Sequence, residues 1–190
     1  MNSQTHSGLD KTAQHPLPMH QPNFTVEPLD PSRHRREEFD CGVVALNDFL
    51  KNRARKEMAA GASACFVIVP EEDSGCIAGF YTLSAAVIVR TELPDSVTKK
   101  LPRYLEMPAT LLGRLARDVR FKGQGIGDRL MASVLHRSVA ASNEVASWAI
   151  VTDPKDEAAG KFYRTFGFQP LTENRLYLTM KQSSEWLSAP

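Results

Sequence analysis

Long hydrophobic runs are missing from this chain. No apolar stretch in the sequence approaches the roughly 18 residues that a membrane-spanning helix needs. The N-terminus has neither the charged start nor the apolar centre of a signal peptide, so the expected location is cytoplasmic, with no membrane partner. Cysteine is scarce too. Cys41, Cys65 and Cys76 are odd in number and share no C-x-x-C spacing, which speaks against a disulfide framework and a thiolate metal site. They read as packed free thiols, with a catalytic Cys–His pair as the lesser alternative. The histidines His6, His15 and His20 are irregularly spaced in a polar segment, and no metal is expected. Charge of one sign is also lacking: the net charge is only +1, so any polyanion must be met by local clusters rather than by the whole molecule.

What the chain has is an ordinary core composition. Hydrophobic residues make up 42% of 190, enough for one domain of usual size. Residues 1–23, with Pro16, Pro18 and Pro22 among Gln, His, Ser and Asn, read as a tail. The domain is expected over 24–181, with a short C-terminal tail over 182–190. Phe24–Val26 is a candidate strand. Leu46, Phe49, Leu50, Ala54 and Met58 recur at helical spacing and predict a helix from Val44 to Ala60, ended by Gly61. Ala64–Pro70 and Ile77–Ala86 predict a hairpin around Asp73-Ser74-Gly75. Thr91–Tyr104 reads as a loop with one helical turn. Thr110–Val119 predicts a strand. Ile126, Leu130, Met131, Val134, Leu135 and Val139 mark one face of a long helix. Ala146–Thr152 predicts another strand. Asp153-Pro154 predicts a capped helix start, with that helix running to Phe166 and Gly167 ending it. Phe168–Pro170 and Leu176–Met180 predict a last hairpin. The order gives an α/β (α+β) layered fold with helices on both faces of a sheet.

Between the Thr110 strand and the long helix lies Arg120-Phe121-Lys122-Gly123-Gln124-Gly125-Ile126-Gly127-Asp128. Glycines there let backbone N–H groups converge, and the helix start adds its positive end, so the turn suits a pyrophosphate. The glycine spacing fits neither the G-x-G-x-x-G dinucleotide fingerprint nor the P-loop. Arg120-x-x-Gly123-x-Gly125 resembles instead the R/Q-x-x-G-x-G/A motif of GNAT acetyltransferases, which holds the pyrophosphate of coenzyme A. Phe162-Tyr163-Arg164-Thr165-Phe166-Gly167-Phe168 resembles the F-Y-x-x-x-G-F segment of the same family. Further segments are similar to the GNAT toxins of type II toxin–antitoxin modules: Phe39-Asp40-Cys41-Gly42, Phe80-Tyr81-Thr82-Leu83-Ser84, Leu101-Pro102-Arg103-Tyr104, Leu111-Leu112-Gly113-Arg114-Leu115-Ala116 and Lys155-Asp156-Glu157-Ala158-Ala159. Two departures are the N-terminal tail and Pro154, where the family more often has a small apolar residue.

The resemblance implies a GNAT fold with a central mixed, mostly antiparallel sheet flanked by helices. It implies acetyl-CoA as cosubstrate, held by Leu115, Ala116, Arg117, Asp118, Val119, Arg120, Lys122, Gly123, Gln124, Gly125, Ile126, Gly127 and Asp128. Tyr163 is implied as the acid that protonates the departing thiolate, and a phenol of pKa about 10 suits a thiol of about 8.5. Asp118 and Glu157 are the candidates for a general base, with water an equal one. The implied acceptor is the α-amino group of aminoacyl-tRNA, whose acetylation arrests translation. A ribbon-helix-helix antitoxin, through which alone the protein meets DNA, and a homodimer are implied as well. Lys51, Arg53, Arg55 and Lys56, with Arg103 and Arg114, are the candidate tRNA contacts; Arg33, Arg35, Arg36, Lys99 and Lys100 extend the clusters. The alternatives are a GNAT enzyme for a protein N-terminus or a small amine, and a catalytically silent CoA-binding partner in a repressor complex.

Overall fold

The computed structural model describes residues 23–188. The sequence-predicted tail over 1–23, with its three histidines, lies outside them apart from Asn23. A seven-stranded sheet is built from β1 (Phe24–Pro28), β2 (Ala64–Pro70), β3 (Gly79–Val89), β4 (Glu106–Arg117), β5 (Ala149–Thr152), β6 (Gln169–Pro170) and β7 (Leu176–Thr179), in the order β1-β2-β3-β4-β5-β7-β6. All neighbours are antiparallel except β4 and β5, which α4 (Ile126–Glu144) joins as a parallel crossover. This is the mixed, mostly antiparallel sheet that the resemblance implies.

Each face of the sheet carries its own core. On one, Ile68, Tyr81, Leu112 and Ile150 pack under Leu130, Met131, Val134 and Leu135 of α4. The predicted stripe on that helix is therefore buried as its spacing requires. On the other, Val67, Phe80 and Ala116 meet Phe39, Phe49, Leu50 and Ala54. The helix predicted over Val44–Ala60 is α1 (Val44–Asp48) and α2 (Ala54–Ala59) joined by a wide π turn at Phe49–Arg53. The extra residue of such a turn shifts the helical phase, and Phe49, Leu50 and Ala54 all reach the core. The 91–104 segment contains the short helix α3 (Asp95–Thr98).

Two helix boundaries differ from the sequence reading, as do the ends of β3, β4 and β5. Helix α5 (Glu157–Thr165) starts three residues late, because Asp153 is held by Arg175 through bonds of 2.7 and 2.8 Å. Asp156 is the cap instead and accepts from Ala159 N–H at 2.8 Å. Residues 182–187, expected as tail, belong to α6 (Met180–Leu187). A capping box between Thr179 and Gln182 starts this helix, and Trp186 packs on Phe166 at 5.6 Å.

One irregularity shapes the site. Thr82 pairs with Arg114 and Leu83 with Leu112, which leaves Gly113 as the extra residue of a bulge. A Cβ on Gly113 would stand 3.2 Å from the Thr82 hydroxyl oxygen, so the close approach selects glycine. The β4–β5 ladder ends at Leu111↔Val151, two residues before the bulge. Beyond it β4 runs on to Arg117 and β5 stops at Thr152, so the sheet opens into a wedge between them.

Candidate active site

The wedge and the glycine turn meet at the C-terminal end of β4. Asp118 N–H donates to the Ala78 carbonyl on the β3 side at 2.9 Å. Peptide groups alternate along a strand, so Ala116 also faces β3, and the N–H and C=O groups of Leu115 and Arg117 face the opening. Of the β4 residues in the predicted cofactor set, these two therefore offer free backbone, while Ala116 is spent on pairing with Phe80.

The Asp118 carboxylate is a buried hub. It accepts from Asp40 N–H at 3.1 Å and from Arg120 N–H, Nε and Nη2 at 2.9, 2.9 and 2.8 Å. Val119 N–H returns a bond to the Asp40 carbonyl at 2.8 Å, so the start of the loop is clasped to the Phe39–Gly42 turn. Burial pushes the Asp118 pKa up, but the Arg120 side chain and the two amides outweigh it and hold the carboxyl below the ordinary aspartate value. A carboxylate so held cannot serve as a base, and this sequence candidate is corrected to a structural role. Glu157, the other candidate, is an exposed carboxylate paired with Lys161 at 3.0 Å on its own helix.

Past the clasp the loop presents donors. Gly123 and Gly125 adopt φ of +80° and +69°, which side chains rarely adopt, and a Cβ on either would meet nothing within 4 Å. These glycines serve conformation, with open space beside them. The first backbone bond of α4 runs from Arg129 N–H to the Gly125 carbonyl at 3.1 Å. Among the described residues, the N–H groups of Gly123, Gly125, Ile126, Gly127 and Asp128 have no acceptor. Five free amides at the positive end of a nineteen-residue helix form an anion cradle, with the exposed Lys122 beside it. The residues present thus fit a pyrophosphate at the loop and an extended amide-bearing arm along Leu115 and Arg117. The Arg120 guanidinium is bound to Asp118, and the Val119 N–H to Asp40, so neither is free for the ligand.

Tyr163 stands at the apex of the wedge. It is buried among Leu112, Ile150 and Phe168, with the Phe168 ring 5.6 Å away. Desolvation pushes its phenol above the ordinary tyrosine pKa, against the opposing influence of the adjacent Thr152 hydroxyl. The group is protonated at neutral pH. Sequence reasoning missed Thr152, since a lone threonine at a strand end carries no pattern. The cysteines are not nucleophiles: burial pushes Cys65 up to about 12 and raises Cys41 and Cys76. Among the described residues no group of three or more His, Cys, Asp or Glu side chains is placed to hold a metal.

The basic clusters divide. Arg114 stacks 3.7 Å over the Phe49 ring and lies 3.6 Å from Glu57, which also binds Arg53 at 3.0 Å. Arg33, Arg35 and Arg36 are likewise committed, to Glu27, to Glu38 and Asp73, and to the Lys51 carbonyl. Among the described residues, Lys51, Arg55, Lys56, Lys99, Lys100 and Arg103 make no ion pair. Of the six predicted tRNA contacts, Lys51, Arg55, Lys56 and Arg103 therefore keep an uncommitted charge.

Residues 62–170 match the family model of the acetyltransferase (GNAT) domain. The chain belongs to the GNAT acetyltransferase family. It is similar to the tRNA-acetylating toxin of Mycobacterium tuberculosis (strain ATCC 25618 / H37Rv), at 31% identity over 147 residues, which cover 76% of this chain and 86% of the relative. Its fold is similar to that of AtaT complexed with acetyl-methionyl-tRNAfMet, with a TM-score of 0.80 at 30% identity, over 87% of this chain and 100% of the other. It is also similar to a tyrosine-to-phenylalanine mutant of the AtaT toxin bound to the C-terminus of the antitoxin AtaR and acetyl-CoA. There the TM-score is 0.74 at 25% identity, over 87% of this chain and 99% of the other.

Proposed function

We propose that this GNAT enzyme acetylates the α-amino group of aminoacyl-tRNA from acetyl-CoA and, by blocking translation, acts as a toxin. The observation that carries the reading is the juxtaposition at the wedge. Free loop amides follow directly on free β4 backbone, and a buried, protonated phenol packs in the core that holds Leu112 of the same strand. Two named relatives supply the acceptor: one a tRNA-acetylating toxin, the other bound to an acetylated aminoacyl-tRNA.

Each step follows from groups in place. Acetyl-CoA, when bound, supplies a thioester open to attack by an amine. The amides of Gly123, Gly125, Ile126, Gly127 and Asp128 hold its pyrophosphate. Leu115 and Arg117 bind the pantetheine arm, and an N–H on that edge stabilises the developing oxyanion. Tyr163 gives its proton to the departing thiolate. An α-amino group has a pKa of about 8, so enough is neutral near pH 7 for attack with water as proton acceptor. Holding amine and thioester together supplies much of the rate.

The partners follow the same reading. An antitoxin, of the ribbon-helix-helix kind, neutralises the enzyme and connects it to DNA; the AtaR-bound relative supports an antitoxin partner. The chain works in the cytoplasm, where charged tRNA is found, and no helix of the described residues is long and apolar enough to cross a membrane. It pairs with a second copy. The support is the edge of β3 beyond Leu83, where β2 has ended and Val87 and Val89 are exposed. That edge borders a cleft of about 940 Å³ lined by Ala85, Pro108, Arg137 and Val145, which is separate from the wedge. The test of function is transfer of labelled acetyl from acetyl-CoA to a pool of charged tRNA, with uncharged tRNA as control. Label on charged tRNA alone is the expected result. Label on neither would overturn the assignment of the acceptor.

A further inference from the structure

Helices α4, α5 and α6 all send side chains into the core on one face of the sheet. The other face is covered in two separate pieces. Phe49, Leu50 and Ala54 close one end over Ala116, and Leu93, Val97 and Leu101 close the other over Met107 and Ala109. Between these covers, Leu111, Gly113 and Arg114 of β4 keep partial exposure. The bulge therefore lies in a slot on this face, between α1–α2 and the segment from Arg90 to Leu105. Both walls carry cations that make no ion pair among the described residues: Lys51, Arg55 and Lys56 on one, Lys99, Lys100 and Arg103 on the other. Far apart in the chain, the two clusters share a face only in the fold.

The second wall has more than charge. Arg90 pins it at three carbonyls: its N–H donates to Leu105 at 2.8 Å, and its guanidinium to Thr98 and to Pro102, each at 2.6 Å. Leu101 is turned into the core. The chain beyond Pro102 is thereby held outward, and Tyr104 is 65% and Leu105 83% exposed. Each part suits single-stranded nucleic acid. A ring held in water offers a face on which an unpaired base stacks, and the adjacent cations meet its phosphates. A duplex keeps its bases stacked on one another and offers the ring no free face.

We infer that Lys99, Lys100, Arg103 and Tyr104 form a stacking platform for the single-stranded 3′ end of the charged tRNA, with the Tyr104 ring under one of its bases. The inference rests on charged tRNA as the acceptor. Glu106, where β4 begins, lies about 23 Å from Gly113 at the rise of an extended strand. Tyr104 therefore positions the single strand and takes no part in the transfer. From the platform the strand runs along the slot toward the bulge, and Lys51, Arg55 and Lys56 meet phosphates from the opposite wall. The platform also separates acceptors. A free amino acid has the same amine as its tRNA ester but no base to stack.

The experiment uses the full chain and charged tRNA with 2-aminopurine placed in turn at each position of its 3′ single strand. Binding is read as quenching of that base when it stacks. Tyr104→Ala is expected to weaken binding about 5–100-fold, to raise KM for charged tRNA to match, and to remove the quench at the stacked position. KM for acetyl-CoA and Tm should not move. Tyr104→Phe keeps the ring and should keep both affinity and quench. Tyr104→Ala should leave the slope of log affinity against log salt unchanged, whereas Lys99→Ala, Lys100→Ala and Arg103→Ala together should reduce it by about 2. Charged tRNA that is acetylated, but bound and quenched equally by wild type and Tyr104→Ala, would overturn the inference and leave the acceptor assignment standing. Charged tRNA that wild type neither binds nor acetylates would overturn that assignment and the inference with it.

Discussion

Tyr163 and Asp118 show how burial gives two titratable groups opposite duties. Burial alone raises the pKa of both. Tyr163 has only a threonine hydroxyl to oppose it and stays neutral, as an acid must. Asp118 has a guanidinium and two amides and stays charged, as a clasp must. Tyr163→Phe is therefore expected to lower kcat by about 10²–10⁴ while acetyl-CoA binding, measured by calorimetry, stays within a factor of a few. Asp118→Asn should act through the loop. It leaves Arg120 and two amides less well met and should cost about 1–3 kcal/mol of stability, read as a fall in Tm, with a higher KM for acetyl-CoA. The sign with pH is fixed, because the folded-state pKa lies below the unfolded one. The clasp's contribution is complete above the ordinary aspartate value and is lost as pH falls through the lower folded value, so wild type and variant converge in stability in acid. The sequence signals were uneven at this scale. The phenol stood in a motif and was legible. Asp118 was legible as a carboxylate near the loop but not as a clasp, because Asp40 is 78 residues away and only the fold brings it near. Glu57 meets Arg53 from four residues further along, a spacing the sequence shows, but no spacing rule links it to Arg114, and only the fold brings those two together.

Among the elements, β4 decides the most. All of its twelve residues except Gly113 pair with β3, but only Ala109, Thr110 and Leu111 meet β5, and the bulge at Gly113 lies just beyond them. The strand's alternation was readable in the sequence, though its ends were not. The pairing Val89↔Glu106 extends both partners beyond their apolar stretches, and Pro108 is tolerated because its carbonyl, not a missing N–H, meets the neighbouring strand through Trp148 N–H at 2.7 Å. Helix α5 was legible in its apolar face and wrong in its start, since Asp153 and Asp156 are both plausible caps until Arg175 claims the first. Gly113→Val is expected to press on the Thr82 hydroxyl and straighten the wedge. The measurable outcome is a loss of at least tenfold in kcat/KM for acetyl-CoA, with the circular-dichroism spectrum unchanged.

For the molecule as a whole, the two faces of the sheet have separate work. One carries α4 and its amide cradle. The other carries α1 and α2 with Lys51, Arg55 and Lys56, and Arg114 is half-buried over the Phe49 ring beside them. The net charge of +1 means that tRNA is met by such patches alone. Replacing Lys51, Arg55 and Lys56 by alanine should weaken charged-tRNA binding and reduce the slope of log affinity against log salt by about 2–3, while thiol release with a small amine acceptor is unchanged. An unchanged slope would move the tRNA path to the Lys99–Arg103 cluster. The central claim is the identity of the acetylated atom. The most direct measurement is mass spectrometry of the 3′-terminal aminoacyl-adenosine, released by nuclease after charged tRNA, acetyl-CoA and the protein have been incubated together. The account predicts an N-acetyl-aminoacyl-adenosine that is absent with Tyr163→Phe. Unmodified aminoacyl-adenosine from an enzyme that consumes acetyl-CoA on another amine would contradict it.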